Sequence, residues 1–433
     1  MSSPGICLLT TSYPRLSDFD VSISEGRLVR GKFVHDMARG LVRRGFRVFV
    51  VTNHVEGEPV QSTLDGVEIR RFHYFVPGFE TLTAGSGIPE NIRKFKNQIQ
   101  VPFYFLAMLV TAWHLVRTEK LGFINAHWVF PTGFIGWLLK SISGRPLIIT
   151  AYGAELFPIL QGKMRFARRF IRRAVKNADI VAGISPATVD AVKKLSGRSD
   201  ILCIPDGIDT EHYSPGSPDG RLLDKYDLRG KRVVFFTGRM VTRKGHKYLL
   251  EAMREVSRRF PDVVCLLGGD GPLFGELDRL RGIWGIQASV RLPGFIPERE
   301  MVSLLRAATV YVLPSCVDAN GDTEGSATSA LEAMSCGSIA LVSSVGGNIG
   351  AIEIGRGADY FSPGDSLDLA RQLILILSMD SSRDRQWRKW ARAYVMGRYE
   401  WDVVINNYFG RMGIEQSSQA SPRTVAATRM KIL

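Results

Sequence analysis

Short, unbroken apolar segments recur along the chain, and most of them are followed by a stretch with helical periodicity. Residues 46–52, 146–150, 232–237 and 263–267 are clear cases. Such runs are typical of parallel strands whose sheet is covered by helices on both faces. The alternation therefore predicts an α/β architecture built from doubly wound parallel sheets.

The alternation is interrupted at residues 212–230, where prolines and glycines break the pattern. A new strand–helix series begins at residue 232, and 433 residues are long for a single core. We therefore predict two Rossmann-like domains of the same build, a further helix and a polar, basic, disordered tail. The predicted bounds are 1–210, 211–390, 391–412 and 413–433. Because such folds bind ligands at the carboxyl ends of their strands, the site is expected in a deep cleft between the facing domains.

Composition narrows the possible partners and the compartment. The formal net charge is +14, which favours nucleic acid, a phosphorylated ligand or an anionic membrane surface. Five scattered cysteines predict free thiols in a reducing compartment. The first apolar run has no basic segment before it, so we predict no signal peptide. The longest apolar run, residues 99–116, is predicted to be a core helix rather than a membrane span.

Residues 311–337 pass from an apolar strand through a loop rich in Gly, Asp and Ser into a helix. Glu324 and Glu332 stand eight residues apart across this junction, with small residues between them. Free N–H groups at a helix start bind anions, and carboxylates beside them can accept hydrogen bonds from sugar hydroxyls. The stretch predicts the donor pocket of a sugar-transferring enzyme.

A glycosidase acid/base pair is the alternative interpretation of the two glutamates. Eight residues on one helix span about 12 Å, whereas hydrolase pairs are separated by roughly 5–9.5 Å. The loop between them weakens this geometric argument without reversing it.

A second constellation follows the first strand of the second domain. Gly238 and Arg239 close that strand, and Lys244 and Gly245 open the next helix. Arg offers a planar fork and Lys a point charge, a pairing suited to a diphosphate, and the glycines let the backbone approach it. Solvated loop charge is the alternative, but the position at a strand's carboxyl end favours a site.

Two weaker signals lie in the first domain. His127 ends an apolar strand and could contact an acceptor or a phosphate, and a packed histidine beside Trp128 is the alternative. Asp18 and Asp20 could hold a metal–diphosphate, but hard cations usually need more oxygen ligands, so a solvated loop is favoured. No His/Cys cluster has zinc spacing. We expect no metal and no cofactor.

The segment 163–176, KMRFARRFIRRAVK, is a predicted basic amphipathic helix. Such a helix can lie on an anionic membrane. Nucleic acid is disfavoured because no stacking module or nucleic-acid motif accompanies the basic residues. An ordinary surface helix is the remaining alternative.

Together these segments resemble the retaining GT-B glycosyltransferases of the large family-4 group, whose donors are nucleotide sugars. The resemblance covers nearly the whole chain, and its markers are GKFVHDMARGLVRRGFRVFVV, NAHWVFPTG, IPDGID, FFTGRMVTRKG, LLGGDGP and EGSATSALEAMSCG.

The resemblance implies roles for several residues. Arg239 and Lys244 would hold the donor diphosphate, Glu332 the ribose hydroxyls and Glu324 the donor sugar. Gly31 matches the glycine loop that approaches the phosphates. The amides expected near the donor sugar are those of Gly325, Ser326, Ala327 and Thr328. A final helix would cross back onto the first domain.

The chain departs from the family pattern at Tyr152-Gly-Ala-Glu155, where many members carry His-Gly-x-Asp, which leaves His127 as the nearer candidate for contact with donor or acceptor. PDGID stands where PNGID is frequent, and GGNIGAIE lacks a common Pro-Glu, so base contacts near that loop are in doubt.

The expected activity is metal-independent, retaining transfer of a hexosyl unit from a nucleotide-diphosphate sugar to a saccharide or lipid-linked acceptor. Surface polysaccharide or glycolipid synthesis, in the cytoplasm or at the inner face of the plasma membrane, is the expected setting. A nucleotide-sugar epimerase and a non-catalytic, membrane-attached binding protein are the alternatives. Loss of the Arg/Lys or Glu pair would favour the binding protein, but all four residues are present.

Overall fold

The chain is described by a computed structural model over residues 5–19, 31–84, 88–92, 94–153, 155–162, 166–319, 321 and 323–410. Asp20, residues 163–165 of the basic segment and the predicted tail over 413–433 lie outside the described residues.

The described residues form two parallel sheets with helices packed on them. The strands are β1 (Gly5–Leu9), β2 (Arg47–Asn53), β3 (Gln61–Leu64), β4 (Val67–Phe72), β5 (Phe123–His127), β6 (Leu147–Ala151), β7 (Ile180–Gly183), β8 (Leu202–Cys203), β9 (Arg232–Thr237), β10 (Val263–Gly268), β11 (Val290–Arg291), β12 (Ala308–Leu313), β13 (Ile339–Ser343) and β14 (Ala358–Phe361). The helices are α1 (Lys32–Arg43), α2 (Ile88–Asn91), α3 (Phe95–Gln98), α4 (Gln100–Thr118), α5 (Phe134–Ser143), α6 (Phe157–Leu160), α7 (Ala167–Asn177), α8 (Pro186–Ser196), α9 (Gly220–Lys225), α10 (His246–Arg259), α11 (Phe274–Ile283), α12 (Glu298–Ala307), α13 (Thr328–Ser335), α14 (Ser366–Leu377), α15 (Ser381–Arg398) and α16 (Trp401–Phe409).

The first sheet has the strand order β3-β4-β2-β1-β5-β6-β7-β8, and every pairing is parallel except that of β3 with β4. The strand order reverses between β1 and β5, since the chain runs outward from β1 in one direction and from β5 in the other. Ligands bind at such a switch point. Buried apolar side chains on the two faces of this sheet form two separate clusters.

The second sheet has the order β11-β10-β9-β12-β13-β14 and is parallel throughout. Its switch point lies between β9 and β12. The loop after β9 carries Arg239 and Lys244, and the loop after β12 carries Glu324. The topology therefore brings the two predicted donor constellations to one edge.

The chain crosses between the two domains twice, and the two crossings lie side by side. The amide of Ile208 donates a 2.6 Å hydrogen bond to the carbonyl of Tyr399, and Ile208 forms an isolated parallel bridge with Glu400. Beyond this point α16 packs against α1 of the first domain, with Trp401 among the buried side chains of that core.

Two short strands, β3 and β14, do not coincide with an unbroken apolar segment of the sequence. Both are edge strands, where half-exposed residues give no unbroken apolar run. The long apolar helix was predicted as a core helix, and one face of α4, with Tyr104, Met108 and Ala112, does pack in the core of the first domain. Within its most apolar window, only 33% of the residues are buried, and the segment is long and apolar enough to cross a membrane by length and composition.

Candidate active site

The loop after β9 and the loop after β12 are held against each other at the switch point of the second sheet. Gly245, at the start of α10, has φ +68°, and a Cβ there would lie 1.8 Å from the carbonyl oxygen of Pro314. Only glycine accommodates both the left-handed conformation and this approach. The contact positions Lys244, which precedes Gly245, beside the segment that carries Glu324.

Lys244 and Glu324 form an ion pair. The Lys244 ammonium donates a 2.6 Å hydrogen bond to Glu324 Oε2, and Ser315 Oγ donates to the same oxygen at 2.9 Å. Burial by itself would raise the pKa of the Glu324 carboxyl, but the charge and hydrogen bond of Lys244, with the charge of Arg243, leave that pKa below its ordinary value. Glu324 is therefore an ionised hydrogen-bond acceptor at neutral pH.

Arg239 differs from Lys244 in having no carboxylate partner within the described part of the chain. It is exposed, and among the ion pairs of the described residues none includes it. A guanidinium at a strand's carboxyl end is available to a diphosphate, which can accept two of its N–H bonds.

The start of α13 lies next to Glu324 and faces the first domain. The first hydrogen bonds of this helix run from the amides of Ala330 and Leu331 to the carbonyl of Ala327. The preceding amides, Gly325 to Thr328, are those that a helix leaves for an external acceptor. A Cβ on Gly325 would lie 3.7 Å from the carbonyl oxygen of Tyr152 in the first domain. The helix start thus lines the interdomain cleft.

Glu332, one turn into α13, has an unusual ionisation. Burial raises its pKa to about 8; the charge of Glu298 adds to the rise, while Lys32 and a hydrogen bond with Tyr213 oppose it. Tyr213 also donates a 3.0 Å hydrogen bond to Glu298. A protonated Glu332 carboxyl can both donate to and accept from a hydroxyl such as that of ribose.

Lys32 reaches this group from the first domain and was missed by the sequence analysis. Its ammonium lies 5.7 Å from the centre of the Tyr213 ring and 3.1 Å from Asp36. Burial would lower the pKa of Lys32, but Asp36, Glu332 and Glu298 leave it raised. In the sequence, the only signal for Lys32 is that it follows Gly31 at the start of a helix.

Gly31 supports the placement of Lys32. It has φ +72°, and a Cβ there would lie 2.3 Å from the carbonyl oxygen of Ser12, in the loop after β1. The close approach sets the start of α1 against the switch point of the first sheet. Gly31 therefore borders the cleft from the side opposite Glu324.

Two family models match the chain in succession. The model described as glycosyl transferase 4-like domain matches residues 31–207, and that described as glycosyl transferases group 1 matches residues 223–394. This chain belongs to the group 1 glycosyltransferases. The two matches correspond to the two sheets and together take in most of the chain.

Relatives of this glycosyltransferase include enzymes that act on inositol-containing acceptors. The GDP-mannose-dependent alpha-(1-6)-phosphatidylinositol monomannoside mannosyltransferase of Mycolicibacterium smegmatis is 30% identical over 48% of this chain and 54% of its own length. The D-inositol 3-phosphate glycosyltransferase of Corynebacterium jeikeium is 27% identical over 79% of this chain and 82% of its own length. The chain thus spans about half the length of the first of these relatives.

Solved structures share the whole architecture. Sucrose-phosphate synthase from Thermosynechococcus elongatus superposes with a TM-score of 0.69 at 20% identity, over 95% of this chain and 99% of its own. HepE of Anabaena, in complex with UDP, gives a TM-score of 0.70 at 17% identity, with 95% and 99% covered. At such identities the likeness shows the fold, and the prediction of a GT-B pair of Rossmann-like domains is confirmed.

His127 lies in this glycosyltransferase as a fully buried side chain at the end of β5. Its Nδ1 is 2.7 Å from the hydroxyl of Tyr152, while Nε2 is buried without a hydrogen-bond partner. Burial lowers the pKa of His127 to about 3, so the imidazole is neutral at physiological pH. The catalytic role of His127 stays a prediction, and a neutral hydrogen-bonding role is the form that this geometry allows.

Proposed function

We propose that this glycosyltransferase moves a hexosyl unit from a nucleotide-diphosphate sugar to a saccharide or lipid-linked acceptor, with retention at the anomeric carbon. The Lys244–Glu324 ion pair beside the start of α13 carries the proposal. It places a cation for the diphosphate and an ionised acceptor for sugar hydroxyls at one switch point.

In the proposed reaction the bond from the anomeric carbon to the diphosphate oxygen breaks, and a bond from that carbon to the acceptor oxygen forms on the same face. The acceptor hydroxyl gives its proton to the departing diphosphate, so no protein nucleophile is needed. Arg239, Lys244 and the α13 dipole stabilise the charge that develops on the leaving group. These cations supply the neutralisation for which a metal ion would otherwise be required.

The two glutamates select the donor. Glu324 accepts hydrogen bonds from hydroxyls of the sugar, with the amides from Gly325 to Thr328 nearby, and Glu332 binds the ribose hydroxyls. The M. smegmatis relative is named for its dependence on GDP-mannose, so GDP-mannose is the first donor to test. UDP- and ADP-sugars are the comparison set.

The test is a thermal-shift screen of the purified chain against these donors, followed by product analysis. A donor at 100 times its Kd stabilises the fold by about 2.7 kcal/mol. With the identified donor and an acceptor, NMR of the product should show the same anomeric configuration as the donor sugar. An epimer formed from donor alone, or an inverted product, would contradict the proposal.

We further propose that the acceptor side of the enzyme rests on an anionic membrane surface. Helices α4, α5 and α7 pack side by side in the first domain. The outer face of α7 exposes the basic side chains Arg168, Arg169, Arg172, Arg173 and Lys176.

On the other side of α5, α4 exposes an apolar stripe at helical spacing. Phe103 is 49% exposed, Leu106 59%, Val110 50% and Trp113 37%. An apolar face beside a basic one matches the acyl boundary and the anionic headgroups of a lipid surface. The proposed location is therefore peripheral on the cytoplasmic face of a membrane, which is where a lipid-linked acceptor would be met.

A further inference from the structure

Two histidines lie side by side at the carboxyl end of the first sheet. Strands β2 and β4 are parallel neighbours whose register pairs Asn53 with Phe72, so the next residues, His54 and His73, leave the sheet together. The amide of His54 donates a 2.9 Å hydrogen bond to the carbonyl of Phe72. The two imidazole rings are 3.9 Å apart, centre to centre, with a tilt of 32°.

A carboxylate is fixed against both rings. Glu80 Oε1 accepts hydrogen bonds from the amides of Tyr74 at 2.6 Å and Phe75 at 3.3 Å. Its other oxygen, Oε2, is 3.0 Å from Nδ1 of His73 and 3.6 Å from Nδ1 of His54. The Glu80 side chain is only 10% exposed, so both oxygens are held in place.

The hydrogen bonding of His54 fixes its tautomer. Its Nε2 lies 2.9 Å from the carbonyl oxygen of Glu58, and because a carbonyl can only accept, Nε2 carries the proton. In the neutral imidazole the lone pair is then on Nδ1, which faces Oε2 of Glu80. Two acceptors directed at each other repel, and a cation between them removes the conflict.

We propose that His54, His73 and Glu80 bind one divalent transition-metal ion. Their three ligand atoms lie within 4.8 Å of one another, and two imidazoles with one carboxylate are a donor set that zinc accepts in sites with an open position. A histidine ligand that donates its other N–H to a backbone carbonyl, as His54 does to Glu58, is the usual supporting arrangement.

The open side of the ion faces a cavity of about 940 Å³ that all three ligands line. The same cavity is lined by Thr11, Ser12 and Tyr13, the loop after β1. Water or another small oxygen ligand from this cavity completes the coordination shell. The three ligands belong to the first domain and the Lys244–Glu324 pair to the second, and the proposal assigns the ion no part in the departure of the diphosphate.

The test is calorimetric titration of the untagged, EDTA-treated and dialysed chain with Zn²⁺ alone. One ion per chain is expected for the wild type and for His114→Gln, which alters an exposed histidine on α4. His73→Gln and Glu80→Gln each remove a ligand, and each should weaken binding more than about 100-fold, beyond the usual effect of losing a supporting hydrogen bond. The Gln side chain in Glu80→Gln keeps an oxygen for the amides of Tyr74 and Phe75.

No Zn²⁺ uptake by the wild type, or an affinity in His73→Gln and Glu80→Gln equal to that of the wild type, would overturn the proposal and leave a hydrogen-bonded cluster of the three side chains. X-ray absorption of the loaded protein should show nitrogen and oxygen ligands only. A sulfur shell would place the ion on a cysteine, such as the exposed Cys203, and would equally overturn it. A wild-type circular dichroism spectrum and Tm show that a variant is folded, and since neither donor binding nor glycosyl transfer is a readout, this test is independent of the proposed function.

Discussion

Lys32 of the first domain lowers the pKa of Glu332 in the second, against the larger opposite effect of burial. The ionisation of a donor-site carboxyl thus depends on how the two domains face each other. Opening the cleft removes the Lys32 charge but also returns water to Glu332, so the protonation state of this carboxyl changes with closure.

Glu332 should make stability depend on pH. Its pKa is about 8 in the fold against an ordinary value of 4.5, so the unfolded chain loses the proton first as pH rises. The stabilising contribution is fully present below pH 4.5, declines above it and is lost once the pH has passed about 8; the total is roughly 5 kcal/mol. Urea denaturation across this range should show a steeper decline in the wild type than in Glu332→Gln, where Asp206, whose pKa burial raises to about 7, still contributes. Equal slopes would show that Glu332 does not carry the raised pKa.

Arg239 and Lys244 should differ in their effect on stability although both act on the diphosphate. Arg239→Ala should lower kcat by about 10²–10³, the usual result of removing one group that stabilises developing charge, with little change in Tm because no carboxylate loses a partner. Lys244→Met should lower kcat as much and also lower Tm, since the largely buried Glu324 then keeps only the longer 3.9 Å ion pair with Arg243. Lys247→Ala, an exposed cation on α10, is the matched control. Full transfer activity in Arg239→Ala or Glu324→Ala would refute the site assignment.

Gly31→Ala should destabilise the fold and weaken donor binding. The new Cβ meets the Ser12 carbonyl at 2.3 Å in a left-handed conformation, a combination that costs about 1–3 kcal/mol. Gly57→Ala separates the effect of the left-handed conformation from that of the Ser12 contact. Gly57 also has a positive φ, but no atom lies within 4 Å of the added Cβ. Chemical denaturation should place Gly31→Ala below Gly57→Ala, and only the former should raise the Kd for nucleotide. Identical behaviour of the two variants would mean that the Ser12 contact is unimportant.

His127 should not appear in the pH dependence of transfer. With a pKa of about 3, it stays neutral across the working range, so the kcat profile should lack a step near pH 6.5. His127→Gln keeps a hydrogen-bond partner for Tyr152 and should leave the shape of the profile unchanged even if kcat falls. A step that disappears in this variant would show that His127 titrates during catalysis.

The membrane surface can be tested by vesicle flotation. Arg168→Glu with Arg172→Glu should weaken binding to vesicles that contain anionic lipid by roughly 30-fold, at about 1 kcal/mol for each lost cation. Leu106→Ser with Val110→Ser should weaken binding by removing apolar area. Arg258→Glu with Leu375→Ser, exposed on the second domain, makes the same kinds of change elsewhere and should bind as wild type does. Undiminished flotation of both first-domain variants would exclude this surface.

The sequence predicted the parts of the site that depend on strand ends. Lys244 and Glu324 lie 80 positions apart, yet each follows an apolar strand at the same switch point, so their convergence follows from the strand–helix alternation. Lys32 could not be predicted in this way, because its contact with the Glu332 group depends on how two separate domains approach. The exposure of the α4 stripe could not be predicted either, since an apolar run looks the same in the sequence whether its helix is fully buried or has one exposed face.

The cluster of His54, His73 and Glu80 could not be predicted from the sequence either. His54 and His73 are 19 positions apart, and no local spacing marks them as a pair. Only the register of β2 on β4 brings them together, and a single-residue slip would have placed one of them on the opposite face of the sheet.

The paired crossings at Ile208 and Tyr399 bear on how donor and acceptor meet. A single linker would let the two domains rotate about it in any direction. Two crossings that are hydrogen-bonded side by side can bend but resist twisting. Closure of the cleft is therefore restricted to a hinge motion about these crossings. Each closure brings Lys32 back to the same position beside Tyr213. The relative orientation of the two domains in the closed form is therefore set by the two crossings of the chain and does not depend on the substrate.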